Sequence, residues 1–223
     1  MVKLSVGSHA GGRMRARMAQ RWKRVSDFSL ALLLIFLLLP LFAAVALAVR
    51  LSSRGPVLFR QVRMGRGLHP FLIYKFRTMT CSAPHDAPTA ALASGRYITR
   101  VGRFLRRTSL DELPQLYNIL RGDMSFIGPR PVVLAEEELI ARRLDAGVYR
   151  VRPGLSGLAQ ILGRDRLNTL EKTALDRLYV RYATPIFDLK LLLASFLPAI
   201  SGRGVCEGEG DLKGEDLVRT GIP

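Results

Sequence analysis

The stretch FSLALLLIFLLLPLFAAVALAV, residues 28–49, carries one polar side chain, Ser29, and one proline, Pro40. Its 22 residues would measure roughly 33 Å as a helix, against a hydrocarbon core of about 30 Å. Three readings fit it. A spanning helix satisfies the length, but both flanks are basic, so the positive-inside rule assigns no orientation. A signal peptide finds small-residue cleavage sites at Ala44, Ala46 and Ala48, yet the basic region of 24 residues and the long apolar run exceed the usual proportions. A re-entrant hairpin uses Pro40 near the middle, where the missing N–H breaks the ladder into arms of twelve and nine residues. That third reading places both basic ends on one face.

Charge points the same way. The chain has 223 residues, 34 Lys and Arg against 18 Asp and Glu, and a net charge of +16. Residues 1–24 hold seven bases and no acid, and residues 50–107 hold twelve bases and one acid, whereas residues 108–223 are balanced at fifteen and sixteen. The excess flanks the apolar segment, as expected of a chain lying on anionic lipid, where each nearby base contributes about 1 kcal/mol. Hydrophobic residues make up 48%, which excludes a disordered polar chain. Two cysteines, Cys81 and Cys206, exclude a disulfide scaffold and a multi-Cys zinc site. Three scattered histidines exclude a His-based metal site.

Beyond Arg50 the pattern is that of a mixed domain. Short strands are expected at 57–59 and 71–74 around a Gly65/Gly67 turn, and an Ala/Ser/Pro/Thr-rich loop at 81–95. Helices are expected at 99–107, about 112–121 ending at Gly122, 136–145 and 168–182. The run IFDLKLLLASFLPAI, 186–200, is apolar but too short to span, so it reads as an interfacial or buried helix. The fold class is therefore α+β and mostly helical, with a helix-break-helix membrane element, interfacial amphipathic helices and a small β element. The division is a basic tail at 1–24, an apolar membrane segment at 25–50 (re-entrant by the resemblance set out below), a cytosolic domain at 51–200 (catalytic by the same resemblance) and a flexible tail at 201–223.

The chemistry concentrates in GRFLRRTSLDELPQL, residues 102–116. Asp111 and Glu112 follow Arg103, Arg106 and Arg107 and precede Pro114. Ser109 and Glu112 have capping-box spacing, and a helix starting at Asp111 would make that residue an N-cap with Pro114 in the first turn. The same geometry allows a carboxylate pair at a positive helix end to hold Mg²⁺ and meet a phosphate. Spacing alone leaves both options open. Downstream, GDMSFIGPRP (122–131) fixes Arg130 between two prolines, a rigid presentation suited to bidentate phosphate binding. RPGLSGLAQ (152–160) is similarly Gly-rich, and Arg164 follows it. None of these is a P-loop, and Gly65-x-Gly67 lacks the rest of a dinucleotide fingerprint.

Together YKFRTM (74–79), TSLDELPQL (108–116), GDMSFIGPRP, RPGLSGLAQ and DLK (188–190) resemble the bacterial sugar transferases, the monotopic polyprenyl-phosphate sugar-1-phosphate transferases. The resemblance runs in order from about Arg21 to Leu197, in the size of the minimal catalytic form. It implies transfer of a sugar-1-phosphate from a UDP-sugar to polyprenyl phosphate, such as undecaprenyl phosphate, releasing UMP and initiating exopolysaccharide, O-antigen or glycoconjugate synthesis. It also implies a ping-pong route with Asp111 as nucleophile, Glu112 as its partner, and Mg²⁺ at Asp111 and Glu112. Lys75, Arg106, Arg130, Arg164 and Asp188 fall at active-site positions of the family. Pro40 matches the helix break of a re-entrant segment, which places the protein at the bacterial inner membrane with the catalytic domain facing the cytoplasm. The oligomeric state stays open, a homodimer being one option.

The chain departs from the family pattern at Leu39 (usually Ser), Leu158 (usually Trp), and Leu162 and Asp165 (usually Asn). The first removes a hydroxyl at the helix break, and the others alter amide chemistry near Arg164 and bear on which sugar is used. A membrane-tethered nucleic-acid binder would explain the 28 arginines, but no nucleic-acid-binding signature accompanies them, so no nucleic-acid partner is expected.

Overall fold

A computed structural model describes residues 9–83, 97–163 and 167–201. It is mostly helical with two small sheets, an α+β arrangement. Helix α1 spans His9–Leu37 and α2 spans Leu39–Ser52, so the basic residues from His9 onward are helical and continuous with the apolar arm. The two axes bend by 66° at Leu38. Pro40 is the cause but not the bend point. It lies in the first turn of α2, where its missing N–H costs nothing, while its ring would clash with the carbonyl of residue 36 if the helix ran straight. Among the described residues no single helix is long and apolar enough to cross a membrane.

The chain then forms an antiparallel hairpin of β1 (Leu58–Met64) and β2 (Pro70–Phe76), longer at both strands than the sequence suggests. Phe59 pairs with Lys75 and Gln61 with Ile73. The connection turns through Gly67 and Leu68, both at positive φ. Residues 84–96, most of the expected loop, lie outside the described residues. Helix α3 (Arg100–Thr108) starts at an N-cap, Thr99, whose Oγ1 accepts from Gly102 N at 2.8 Å. A Cβ on Gly102 would stand 2.0 Å from the Thr78 carbonyl oxygen. The glycine thus lets α3 press against the segment leaving β2, and this approach brings Arg106 to Thr78.

Helix α4 (Gln115–Arg121) ends at Gly122 in the left-handed region, φ 90°. Its last carbonyls are held from α1: Arg24 donates to Ile119 O at 2.5 Å and to Leu120 O at 2.6 Å. A guanidinium at the negative helix end suits the dipole. Asn118, fully buried, fastens α4 to β2 by donating to Leu72 O (2.7 Å) and accepting from Tyr74 N (3.1 Å). Asn118→Leu leaves two backbone groups of the Lys75 strand unpaired, and a loss of about 3 kcal/mol is expected in chemical denaturation. A change under 0.5 kcal/mol would remove this tie from the account.

A parallel pair, β3 (Ser125–Ile127) and β4 (Gly154–Ser156), was not foreseen in the sequence. It joins the GDMSFIGPRP and RPGLSGLAQ segments edge to edge. Gly154 is obligatory there, since a Cβ would meet Gly128 N at 2.1 Å. Helices α5 (Glu137–Asp145), α6 (Leu158–Leu162), α7 (Thr169–Tyr182) and α8 (Pro185–Ser201) complete the chain. Three of the four match expectation to within a residue or two, and α7 opens with a full capping box between Asn168 and Glu171. Their buried faces meet the larger core, with Leu116, Ile119, Met124, Phe126, Leu175 and Tyr179 at its centre and Ala31 of α1 against it. A smaller core of Val45, Val49, Phe76 and Leu105 sits under α2 and α3.

Candidate active site

Ser109 decides the local geometry. It ends α3 in the left-handed region (φ 58°), and the chain makes one 3-10 turn, Leu110–Glu112, before Pro114 opens α4 in helical conformation. Both capping readings of this segment are therefore corrected. The Ser109 side chain makes no cap bond, α4 starts at Gln115 with Pro114 as its N-cap, and Asp111 caps nothing. The tight turn leaves Asp111 largely buried and aims Glu112 at two cations.

Glu112 Oε1 accepts from Lys75 Nζ at 2.7 Å and from Arg130 Nη2 at 3.2 Å. Arg106, on the last turn of α3, donates from Nε to Thr78 Oγ1 at 2.9 Å. The structure thus brings Asp111, Glu112, Lys75, Arg106 and Arg130 together from α3, β2 and the 128–131 loop. Arg164 and Asp165 lie outside the described residues. Asp188 stands apart. Its carboxylate meets Lys23 Nζ at 2.5 Å and the Tyr179 hydroxyl at 2.9 Å, which ties α8 to α1 and α7.

The two adjacent carboxyls are driven in opposite directions. Burial, and then the Glu112 charge beside it, push Asp111 up to about 6, against the pull of Lys75, Arg106 and Arg130. Burial alone would raise Glu112 as well. Lys75 and Arg130 reverse that and hold its carboxyl well below the usual range. Burial lowers the Lys75 ammonium, opposed by Glu112. Lys75, Arg106 and Arg130 act on Asp111 through their charge. One oxygen of Glu112 is already committed to Lys75 and Arg130.

Could Mg²⁺ sit here? Among the described residues no group of three or more His, Cys, Asp or Glu converges. Mg²⁺ is typically held by one or two carboxylates together with substrate phosphates and water. Asp111 and the remaining oxygen of Glu112 supply that hard-oxygen pair, so the donor set fits an ion completed by substrate.

Sequence reading missed three residues that shape this site. Arg63 on β1 is largely buried, and burial followed by the Arg130 charge lowers its pKa to about 10. Arg143 on α5 and Asp176 on α7 form an ion pair at 2.5 Å with side chains 3% and 2% exposed. The available signal was positional. Asp176 falls on the face of α7 that also carries Leu175 and Tyr179, where a solvated acid has no place.

A family model for bacterial sugar transferases matches residues 18–202. The chain is 42% identical over 187 residues to the UDP-glucose:undecaprenyl-phosphate glucose-1-phosphate transferase of Escherichia coli, covering 81% of this chain and 40% of that protein. It is 47% identical over 180 residues to the transferase of the same name from Caulobacter vibrioides, covering 77% of this chain and 67% of that one. A UDP-N-acetylgalactosamine-undecaprenyl-phosphate N-acetylgalactosaminephosphotransferase of Aeromonas hydrophila is 36% identical over 187 residues, covering 82% of this chain and 44% of the relative. The chain belongs to the bacterial sugar transferase family. It spans about two fifths of the length of the Escherichia coli relative.

Proposed function

We propose that this chain transfers a sugar-1-phosphate, glucose-1-phosphate first among candidates, from a UDP-sugar to undecaprenyl phosphate and releases UMP. The observation that carries the reading is a buried carboxyl, Asp111, facing Lys75, Arg106 and Arg130. Three cations around the adjacent Asp111 and Glu112 carboxylates exceed what the two need and suit the negative charge of a diphosphate. In the first half-reaction an Asp111 oxygen attacks the β-phosphorus. The bond from that phosphorus to the bridging oxygen breaks, and UMP departs with the electron pair. In the second, a phosphate oxygen of the lipid attacks the phosphosugar-aspartate, and the Asp111–phosphorus bond breaks to restore the carboxylate. Lys75 and Arg130, held on Glu112, and Arg106, held on Thr78, are placed to offset charge on the entering and leaving phosphates. Arg164 is assigned to the same role by resemblance.

Asp111 and Glu112 would hold Mg²⁺, which supplies charge neutralisation and Lewis acidity at the phosphoryl oxygens. Incubating membranes that carry the full chain with UDP-glucose and undecaprenyl phosphate tests the reaction. Stoichiometric UMP and lipid-linked glucose phosphate are expected, both lost with chelator and regained with Mg²⁺. Absence of UMP from UDP-glucose and from UDP-N-acetylhexosamines alike would reject the function.

The raised Asp111 pKa predicts a pH dependence. Asp111 must be ionised to attack, and its proton is retained until about pH 6. In the metal-free protein the Asp111 carboxyl should therefore titrate near 6, and Mg²⁺ held there should move the acid limb of kcat/KM below that value. A metal-free titration of Asp111 near 4, the ordinary aspartate range, would contradict the environment described for it.

The bent α1–α2 pair is read as re-entrant. Phe28, Leu32, Leu33, Phe36 and Leu37 are exposed on one arm and Leu39, Leu47 and Leu51 on the other. Ile186, Leu189 and Leu193 form an outward stripe on α8 at helical spacing, fit for the membrane interface. Use of a UDP-sugar donor supports a cytoplasmic position for the catalytic part. In a background without Cys81 and Cys206, Ser5→Cys and Ser53→Cys should both react with an impermeant thiol reagent only from the cytoplasmic face. Labelling of the two from opposite faces would establish a spanning helix instead.

A further inference from the structure

The loop that presents Arg130 has a construction that its two prolines do not explain. Prolines fix φ, but they do not satisfy or orient the peptide carbonyls of the loop. Those of residues 130 and 131 are each taken by a separate arginine. Arg143 Nη1 donates to Arg130 O at 2.7 Å, and Arg63 Nη1 donates to Pro131 O at 3.2 Å. Both guanidiniums are themselves fixed. Arg143 is paired with Asp176 inside the protein, and Arg63 Nη2 donates to Gln61 Oε1 at 2.6 Å. A backbone bond from Met64 N to Val132 O (2.9 Å) and a bridge between Arg63 and Val133 close the same edge. At the other end of this arrangement the Arg130 side chain, 45% exposed, reaches Glu112 through its guanidinium.

Burying guanidinium groups carries a desolvation cost that backbone pairing alone would not incur. Satisfying two carbonyls needs no charge. What two rigid forks add is a fixed direction for the peptide that carries Arg130, since the planar guanidinium is pre-organised for its bonds. The Arg130 side chain is exposed and long, so without such fixing it would sample many rotamers.

We propose that Arg63 and the Arg143–Asp176 pair are positioning residues for the transfer, acting through Arg130. They hold successive carbonyls of its loop and so set its guanidinium against Glu112 and the phosphate that Asp111 attacks. The inference rests on the transferase reading for its kinetic consequence, and on the loop geometry alone for its structural one.

A double-mutant cycle separates action through Arg130 from general stabilisation. In the full chain in membranes, Arg63→Ala is expected to lower kcat/KM for UMP release by about 10- to 100-fold, the scale of a small misplacement of a catalytic group. Arg63→Lys should recover part of that loss. In an Arg130→Ala background the same Arg63→Ala change should cost less than about 2-fold, while the fall in melting temperature is equal in both backgrounds. Equal fold-losses in both backgrounds would overturn the proposal, because Arg63 would then act independently of Arg130. The second arm is tested without leaving a buried charge by the paired change Arg143→Met with Asp176→Leu, which should show the same dependence on Arg130. Hydrogen exchange supplies a readout free of activity: amides within 125–133 should exchange faster in Arg63→Ala. If the parent protein releases no UMP from any UDP-sugar, the transferase reading fails. Exchange then decides the clamp alone, and unchanged protection would overturn it.

Discussion

Asp111→Asn is expected to reduce UMP release by about 10³-fold or more, the scale of removing a covalent nucleophile, with no loss of folding stability. The two parts of this result have different origins. The amide cannot form the acyl-phosphate bond, so both half-reactions stop. Stability responds to the proton, not to the chemistry. The folded-state pKa of Asp111 is raised from 3.8 to about 6, so the native protein binds this proton more tightly than the unfolded chain. Between those values stability falls as pH rises, and above about 6 the ionised carboxylate is a constant cost. Replacing it with a neutral amide removes that cost, and the melting temperature at pH 8 should be unchanged or higher. Glu112→Gln is expected to differ. It removes the negative charge that Lys75 and Arg130 share, so activity and stability should fall together. An Asp111→Asn protein that retained activity, or lost it only by unfolding, would contradict the nucleophile assignment.

Asp176→Asn has the largest expected effect on stability. Arg143 and Asp176 lie 2.5 Å apart with almost no solvent on either side chain. Neutralising one member leaves a buried guanidinium whose desolvation is no longer compensated, a loss of about 3–5 kcal/mol. That is a large part of the usual margin of about 5–15 kcal/mol. Removing both charges together, Arg143→Met with Asp176→Leu, should restore most of the stability, since well-packed apolar replacements of buried pairs are often neutral or better. Thermal or chemical denaturation of the three variants checks the pattern. A single Asp176→Asn change costing under 1 kcal/mol would show that water reaches the pair. Stability restored without restored transfer is the signature of a residue pair kept for geometry, because Arg130 O has still lost its donor.

Much of this architecture is written in local sequence. Thr99, Asn168, Gly122 and the apolar spacing of residues 169–182 mark helix ends and faces that the structure reproduces. Pro40 announces a break, though the bend falls two residues earlier because a proline obstructs the turn before it. The parallel β3–β4 pair was not legible. Each strand has three residues, one of them with Gly at its start, and their pairing depends on a contact 29 residues apart in sequence. No period-2 pattern can emerge from segments so short.

The site divides similarly. Asp111, Glu112 and Arg130 stand in unusual local strings, whereas the choice between cap and reactive carboxyl needed the left-handed Ser109, which only tertiary packing of α3 reveals. Lys75 joins Glu112 from 37 positions away, and the motif that contains it does not state that pairing. Asn118, Arg63 and the Arg143–Asp176 pair act on backbone carbonyls and amides, which no side-chain pattern displays.

The central claim is that a sugar phosphate rests on Asp111 between two half-reactions. Without lipid acceptor, the full chain in membranes, given UDP-glucose labelled in its β-phosphate and sugar, should release at most one UMP per protein in a single burst. It should retain the label in an acid-stable, hydroxylamine-sensitive linkage on the peptide containing Asp111, and undecaprenyl phosphate should then discharge it. UMP formed only when lipid is present, with no protein-bound label at any time, would contradict the account.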